Sequence, residues 1–226
     1  MKKISKQTYQ TLIEGGSLLK SDAFGDKVWQ LADGRILKLF RVKRRLSSAR
    51  LFSYASRFVR NSIKLKRLGI RTVTVEEQYV CKELERQIVI YRYLAGKTLD
   101  SLFASQTDSS ALVEKFAKFL AQLHAKGIYF RSVHTGNVVL CENGELGIID
   151  ITDIRFSIFA LSPRQRARNF YHLLRYPFES GIVHDFGIDR FLAIYQEAAN
   201  LSPLKRRLFL RHLPQVILKG PLAEKL

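Results

Sequence analysis

Two side chains with metal-binding chemistry, Asn137 and Asp150, stand close together in the second half of the 226-residue chain, with Asp153 just beyond them. Asn137 closes the run Gly127-Ile-Tyr-Phe-Arg-Ser-Val-His-Thr-Gly-Asn137, and Asp150 closes Leu146-Gly-Ile-Ile-Asp150. An amide oxygen and a carboxylate are hard ligands that suit Mg²⁺, which takes one or two carboxylates and fills its shell with water or phosphate. Ser132 and His134 lie in the same run, and a serine hydroxyl does not accept a proton as a carboxylate does. Asp153, three residues past Asp150, reaches the same place if the chain turns there; its plainer roles are to cap a turn or to pair with Arg155. Far upstream, Lys38 ends the apolar-flanked pair Leu37-Lys38 and offers a point charge for an anion.

These residues need elements to hold them. Asp33-Gly34 lies between the apolar runs Val28–Leu31 and Ile36–Phe40, the signal for a β-hairpin with a two-residue type I′ turn. Asn143-Gly144 repeats that signal between Val138–Leu140 and Leu146–Ile149. The spacing of Leu51, Ala55, Phe58, Leu65 and Leu68 predicts a helix from Ser47 to Leu68, stopped by Gly69. Extended stretches follow at Thr72–Val80 and Gln87–Tyr93, with a break at Ala95-Gly96. Leu112, Phe116, Phe119, Leu120 and Leu123 share a helical face that Gly127 ends. Beyond residue 160 the pattern is helical, with candidates at 163–175, 187–199 and 203–213. The expected organisation is a sheet-rich part over residues 1–94 and a helical part over 95–226, and ligands favour clefts between such parts.

Charge adds a constraint. The chain carries 38 basic and 20 acidic residues, a net of +18. Residues 38–71 hold 12 basic residues and no acidic one, so 12 of the 18 excess charges fall in this one segment. Solvated helices usually interleave acids as i,i+4 partners; this one expects a polyanion, such as an anionic membrane surface or a phosphorylated molecule. Nucleic acid is the less favoured partner, because no nucleic-acid-binding motif accompanies the charge. Cys81 and Cys141 build no disulfide framework and suit a reducing compartment. The basic start lacks the apolar stretch of a signal peptide, and no apolar run approaches the roughly 20 residues of a membrane span, so a soluble, cytoplasmic protein is expected.

The run from Gly127 to Asn137 and the strand ending in Asp150 resemble the catalytic loop and metal-binding strand of protein-kinase-like phosphotransferases, which read H-x-D-x-H-x-x-N and then apolar-apolar-Asp. In that resemblance Asn137 and Asp150 fall on the Mg²⁺ ligands, and Lys38 falls on the strand lysine that grips ATP phosphates. Tyr91-Arg-Tyr93 falls on the segment between lobes whose backbone meets adenine, and Gly25 is what remains of the glycine-rich loop. Gly127-Ile-Tyr-Phe-Arg-Ser with His134-x-Gly-Asn137, and Leu68-Gly-Ile-Arg-Thr, are most similar to the lipopolysaccharide core kinases, in particular the short toluene-tolerance or lipopolysaccharide-kinase-like branch.

The resemblance implies an α+β, bilobal protein-kinase-like fold with an antiparallel sheet N-lobe and a mainly helical C-lobe. It also implies an ATP- and Mg²⁺-dependent transferase acting on heptose of the lipid-linked core oligosaccharide at the inner membrane, where the basic segment over residues 41–71 meets anionic headgroups. Three family parts are altered. Ser132 stands at the catalytic Asp position, Asn61 stands where the long helix offers a Glu to the strand lysine, and the glycine-rich loop is reduced. A catalytically weak ATP-binding pseudokinase, regulating or scaffolding envelope biogenesis, is the alternative. His134 falls on a position expected to brace the loop by hydrogen bonding. The dozen residues between Asp150 and Pro163 leave no room for a peptide-presenting segment and favour a small-molecule or lipid-sugar acceptor.

Overall fold

The computed structural model describes residues 1–41, 53–105 and 109–213. The chain is mixed α+β and divides into two compact units, Met1–Ala95 and Gly96–Leu226. The start of the helix expected from Ser47, and the densest basic stretch, residues 43–50, lie outside the described residues.

The first unit runs β1 (Lys2–Ile4), α1 (Lys6–Ile13), β2 (Ser17–Asp22), β3 (Gly25–Gln30), β4 (Ile36–Arg41), α2 (Tyr54–Arg67), β5 (Arg71–Thr72), β6 (Thr74–Cys81) and β7 (Arg86–Arg92). Six strands form one sheet in the order β1-β6-β7-β4-β3-β2, antiparallel except for the β1–β6 pair. The inner strands β4 and β7 are apolar on both faces, as a strand covered on both sides must be. Leu37, Leu39, Ile88 and Ile90 pack with Tyr9 of α1. The alternate residues of β4 include Lys38 and Phe40, and Phe40 packs on Phe58 of α2.

The β3–β4 connection differs from the expected two-residue turn. Gly34 donates to the Leu31 carbonyl at 2.9 Å, Leu31 to the Arg35 carbonyl at 2.8 Å, and Gly34 has φ +82°. That is a three-residue loop, a type I turn followed by a left-handed glycine. The Asn143-Gly144 turn has the same bonds, Gly144 to Cys141 at 2.8 Å and Cys141 to Glu145 at 2.9 Å. A type I turn tolerates non-glycine residues at its centre, so a single glycine suffices in each.

Helix α2 begins at Tyr54. Ser53 leaves helical geometry at ψ 156° and caps the helix by accepting from the Ser56 amide. Its end is a Schellman motif: Ile70 donates to Leu65 and Gly69 to Lys66, with Gly69 at φ +67° and Ile70 buried beside Leu65.

The second unit runs β8 (Lys97–Thr98), α3 (Leu99–Ser105), α4 (Ser110–Ala125), β9 (Ile128–Phe130), β10 (Val138–Leu140), β11 (Leu146–Ile148), β12 (Ile154–Phe156), α5 (Pro163–Leu174), α6 (Pro177–Phe186), α7 (Ile188–Ala198) and α8 (Pro203–His212). Helix α4 buries Leu112, Phe116, Phe119, Leu120 and Leu123, the residues that share its sequence period. The core of the helical part is aromatic: Phe170 meets Tyr195 at 4.6 Å and Phe209 at 5.5 Å between ring centroids. Helix α6 falls between the helical candidates that the pattern marked at 163–175 and 187–199. Pro177 sits in the first turn, where its missing N–H costs nothing. Among the described residues no helix is long and apolar enough to cross a membrane.

Candidate functional site

The four candidate residues of the second unit lie on one device. Residues 128–156 form a long antiparallel hairpin interrupted in the middle. Its inner ladder is β10–β11, with Val138 opposite Ile148. Its outer ladder is β9–β12, with Phe130 opposite Ile154. Between the ladders two loops face each other, residues 131–137 and 149–153. Ser132 and Asn137 are on the first loop, Asp150 and Asp153 on the second.

At the inner end, Ile149 donates its amide to the Asn137 carbonyl at 2.9 Å, extending the ladder by one bond. Asn137 and Asp150 are thereby held at the same end of one hairpin. Asn137 is buried and donates its side-chain Nδ2 to the Ser132 carbonyl at 3.0 Å. With Nδ2 engaged there, Oδ1 is turned to the opposite side of the amide. Asp150 is exposed and adopts a left-handed conformation, φ 50° and ψ 52°. For a residue with a Cβ this costs about 1 kcal/mol, and such strain is found where the surrounding structure imposes it.

At the outer end, Asp153 closes a 3₁₀ turn over Ile151–Asp153 and stands next to the β9–β12 ladder, while Ser132 is one residue beyond Arg131 on the facing loop. Asp153 does not pair with Arg155. Arg155 is held opposite Tyr129 in the ladder and has no ion-pair or hydrogen-bond partner among the described residues. The His134 ring packs edge-on to Tyr176 at 5.9 Å and has no hydrogen-bond partner among the described residues. It braces the loop through its backbone instead, donating to Ser132 and accepting from Asn137. Gly136 is fixed by close approach, since a Cβ there would lie 2.9 Å from Asp100 Oδ2 and 3.2 Å from the His134 ring.

Two buried polar contacts that the sequence did not signal anchor these loops. His124 of α4 donates from Nε2 to Asn169 Oδ1 at 2.8 Å and accepts at Nδ1 from the Tyr195 hydroxyl at 2.7 Å. Asn169 in turn donates to the Phe130 carbonyl at 2.7 Å, and Arg166 donates to Tyr195 at 3.0 Å. Because Asn169 gives its NH₂ to a carbonyl, its oxygen must accept, so the His124 tautomer follows. Burial lowers His124 to about 3 and raises Tyr195 to about 12, so both stay neutral near pH 7. The second contact is Glu179 of α6, whose Oε1 accepts from the Thr135 amide at 3.0 Å and its hydroxyl at 2.9 Å. Neither His124 nor Glu179 has a local sequence signature, since each acquires its role from a partner 44 or more residues away.

In the first unit, Lys38 is buried, 8% exposed, with its ammonium 5.4 Å from the Phe58 ring centroid and 5.7 Å from that of Phe40. Buried lysines are rare without a purpose. Asn61 is buried on the same helix, three residues past Phe58. Tyr91 ends in the core, its ring 5.2 Å from Phe58, whereas Tyr93 lies past the end of β7 and is exposed. Tyr93 lines a concavity of about 600 Å³ with Asp33, Arg35, Glu76 and Arg92. Gly25 sits at the β2–β3 turn with φ +105° and open space around it. Helix α2 shows Arg57, Arg60, Lys64, Lys66 and Arg67 and no acidic residue.

An amide oxygen and a carboxylate, as at Asn137 and Asp150, are the type of pair on which Mg²⁺ keeps water or phosphate in its remaining positions. Among the described residues no group of three or more His, Cys, Asp or Glu side chains gathers for a metal. No protein-family model matches the chain, and no curated protein matches it in sequence.

Proposed function

We propose that the protein is an ATP- and Mg²⁺-dependent phosphotransferase of protein-kinase-like fold, acting on a sugar hydroxyl of the lipid-linked lipopolysaccharide core at the cytoplasmic face of the inner membrane. The observation that supports the reading is the interrupted hairpin, in which Asn137 and Asp150 share one end of a ladder while Ser132 and Asp153 lie on the two loops between the ladders. Bound nucleotide and metal supply the transferable phosphoryl group and its charge neutralisation. Asn137 and Asp150 hold the metal, and Lys38 engages nucleotide phosphates. Asp153 takes the proton of the acceptor hydroxyl, a role worth about 10²–10⁴ in rate. β12 begins four residues after Asp150 and α5 at Pro163, which fits a small acceptor better than a peptide. The basic, partly apolar face of α2, where Val59, Ile63, Arg60, Lys64 and Arg67 share a groove of about 680 Å³, suits an anionic lipid surface.

Ser132 at the family's Asp position, together with the neutral Asn61, favours a second reading, a pseudokinase that binds ATP and regulates or scaffolds envelope biogenesis. ATP turnover by the purified protein with Mg²⁺ and truncated core glycolipid, beside Asp150→Ala, separates the two. Turnover lost in Asp150→Ala supports the transferase; Mg²⁺-dependent binding without turnover supports the pseudokinase. Equal ATP affinity in wild type and Asp150→Ala sinks both.

A further inference from the structure

On the outer ladder of the interrupted hairpin, alternation divides the side chains cleanly. Ile128, Phe130 and Ile154 are buried, so Tyr129, Arg131 and Arg155 stand on the other face, Arg155 directly opposite Tyr129. Helix α5 brings Gln165, Arg168 and His172 to the same place, at the i, i+3, i+7 spacing of a single helical stripe. Together Tyr129, Arg131, Arg155, Gln165 and Arg168 line a concavity of about 530 Å³. That is the size of a small-molecule site.

The chemistry of the lining is one-sided. Among the described residues none of the three guanidinium groups has an ion-pair or hydrogen-bond partner, and no acidic residue lines the concavity. Their proximity is felt by the neighbours. Burial raises the Tyr129 phenol, and Arg168, Arg131 and Arg155 oppose the rise. Burial lowers His172, and Arg175, Arg131 and Arg168 lower it further, which keeps the imidazole neutral. His172 is 8% exposed, stands edge-on to Tyr129 at 6.1 Å, and has no hydrogen-bond partner among the described residues at either ring nitrogen. Buried polar atoms without partners are uncommon in folded proteins and call for a ligand or water. Three like charges around one hollow repel each other until an anion joins them, and arginine forks match phosphate oxygens two at a time.

We infer that this arginine hollow binds the phosphate of a phosphorylated sugar, the acceptor of the proposed reaction. Arg131 precedes Ser132, and Arg155 follows Asp153 by two residues, so a phosphate held here leaves the rest of the sugar beside the facing loops. The link to an acceptor rests on the transferase reading; the anion site itself rests on the arginines.

Calorimetric titration of the full chain with glucose 6-phosphate, glucose and inorganic phosphate tests it. The ester should bind more tightly than inorganic phosphate, and glucose should not bind. Arg155→Gln and Arg168→Gln should each weaken the ester roughly tenfold, the scale of one charged hydrogen-bonded contact, and Arg155→Glu should abolish binding. Mg²⁺-dependent ATP affinity should be unchanged in all three. No binding of the ester, undiminished binding by the variants, or inorganic phosphate bound as tightly as the ester overturns the assignment. Ester binding by a protein that does not bind ATP removes the transferase reading and leaves the arginine site standing.

Discussion

The two ends of the interrupted hairpin face different demands. The inner end is tight: Asn137 and Asp150 are joined to a ladder by the Ile149–Asn137 bond, and the Asn137 amide is oriented by the Ser132 carbonyl. The outer end is charged and open, with Arg131 and Arg155 exposed around a hollow and without an ion-pair partner among the described residues. Metal geometry tolerates little displacement, whereas a proton acceptor can be supplied from more than one position on a facing loop. In the proposed reading, the kinase-like pattern is kept where geometry is strict, at Asn137 and Asp150, and altered where it is lenient, at Ser132.

The sharpest way to break this comparison is at the outer end. Asp153→Ala is expected to lower turnover about 10²–10⁴-fold while leaving ATP affinity intact, the mark of an interaction made in the transition state. Ser132→Asp should be neutral or harmful, because a second carboxylate near Asp150 adds like-charge repulsion. Single-turnover phosphotransfer measures both; a gain in rate for Ser132→Asp would mean that the base was lost and never replaced. At the inner end, Asp150→Ala should weaken Mg²⁺–ATP binding roughly 10–100-fold, and Asn137→Ala less, since a carboxylate offsets more metal charge than an amide. An Asn137→Ala loss larger than that of Asp150→Ala in calorimetry would reverse the assignment of roles.

Support from beneath is the next test. Asn169→Ala removes the partner of both His124 Nε2 and the Phe130 carbonyl, and should cost about 2–3 kcal/mol in denaturant unfolding. A loss below 0.5 kcal/mol would mean that the outer ladder does not depend on this network. The same histidine sets a pH dependence. Folded His124 is held near about 3 by burial, while the unfolded chain protonates it near its ordinary 6.5. The unfolded chain therefore takes the proton first as pH falls, so the stability present above pH 6.5 is lost between 6.5 and 3. The slope is about 1.4 kcal/mol per pH unit, roughly 2 kcal/mol between pH 7.5 and 5. His172, also lowered, acts in the same direction. Equal stability at the two pH values would contradict a neutral, buried His124. The smallest expected effect is at α2, where exchanging Lys64 and Arg67 for Gln should weaken sedimentation with anionic vesicles by about 1 kcal/mol per residue. Equal binding to neutral vesicles would remove the membrane role.

What the sequence made legible follows the range of the interactions involved. Asp33-Gly34 and Asn143-Gly144 mark their hairpins because a turn is decided by adjacent residues. The period of Leu112 to Leu123 marks α4 because one face of one helix carries it. The first 22 residues were opaque: β2 is exposed at every position and α1 buries only Tyr9, so neither shows a pattern. The β9–β12 ladder was opaque for the opposite reason, since its three-residue strands find each other only across the intervening hairpin. Asn137 and Asp150 were legible as a pair; the arginines were not, because Arg168 joins Arg131 and Arg155 only once α5 lies beside the ladder.

The nesting of the two ladders also governs which changes of length the chain can absorb. The loop at Asn143-Gly144 lies beyond the inner ladder, so lengthening it adds only closure entropy, about 0.6 kcal/mol for each doubling, and leaves the register of β10 and β11 untouched. A single residue inserted within Val138–Leu140 acts differently. It turns every following side chain to the other face of the strand and separates Asn137 from its place opposite Ile149. Insertions are therefore permitted at the tip of this hairpin and forbidden a few residues closer to its loops.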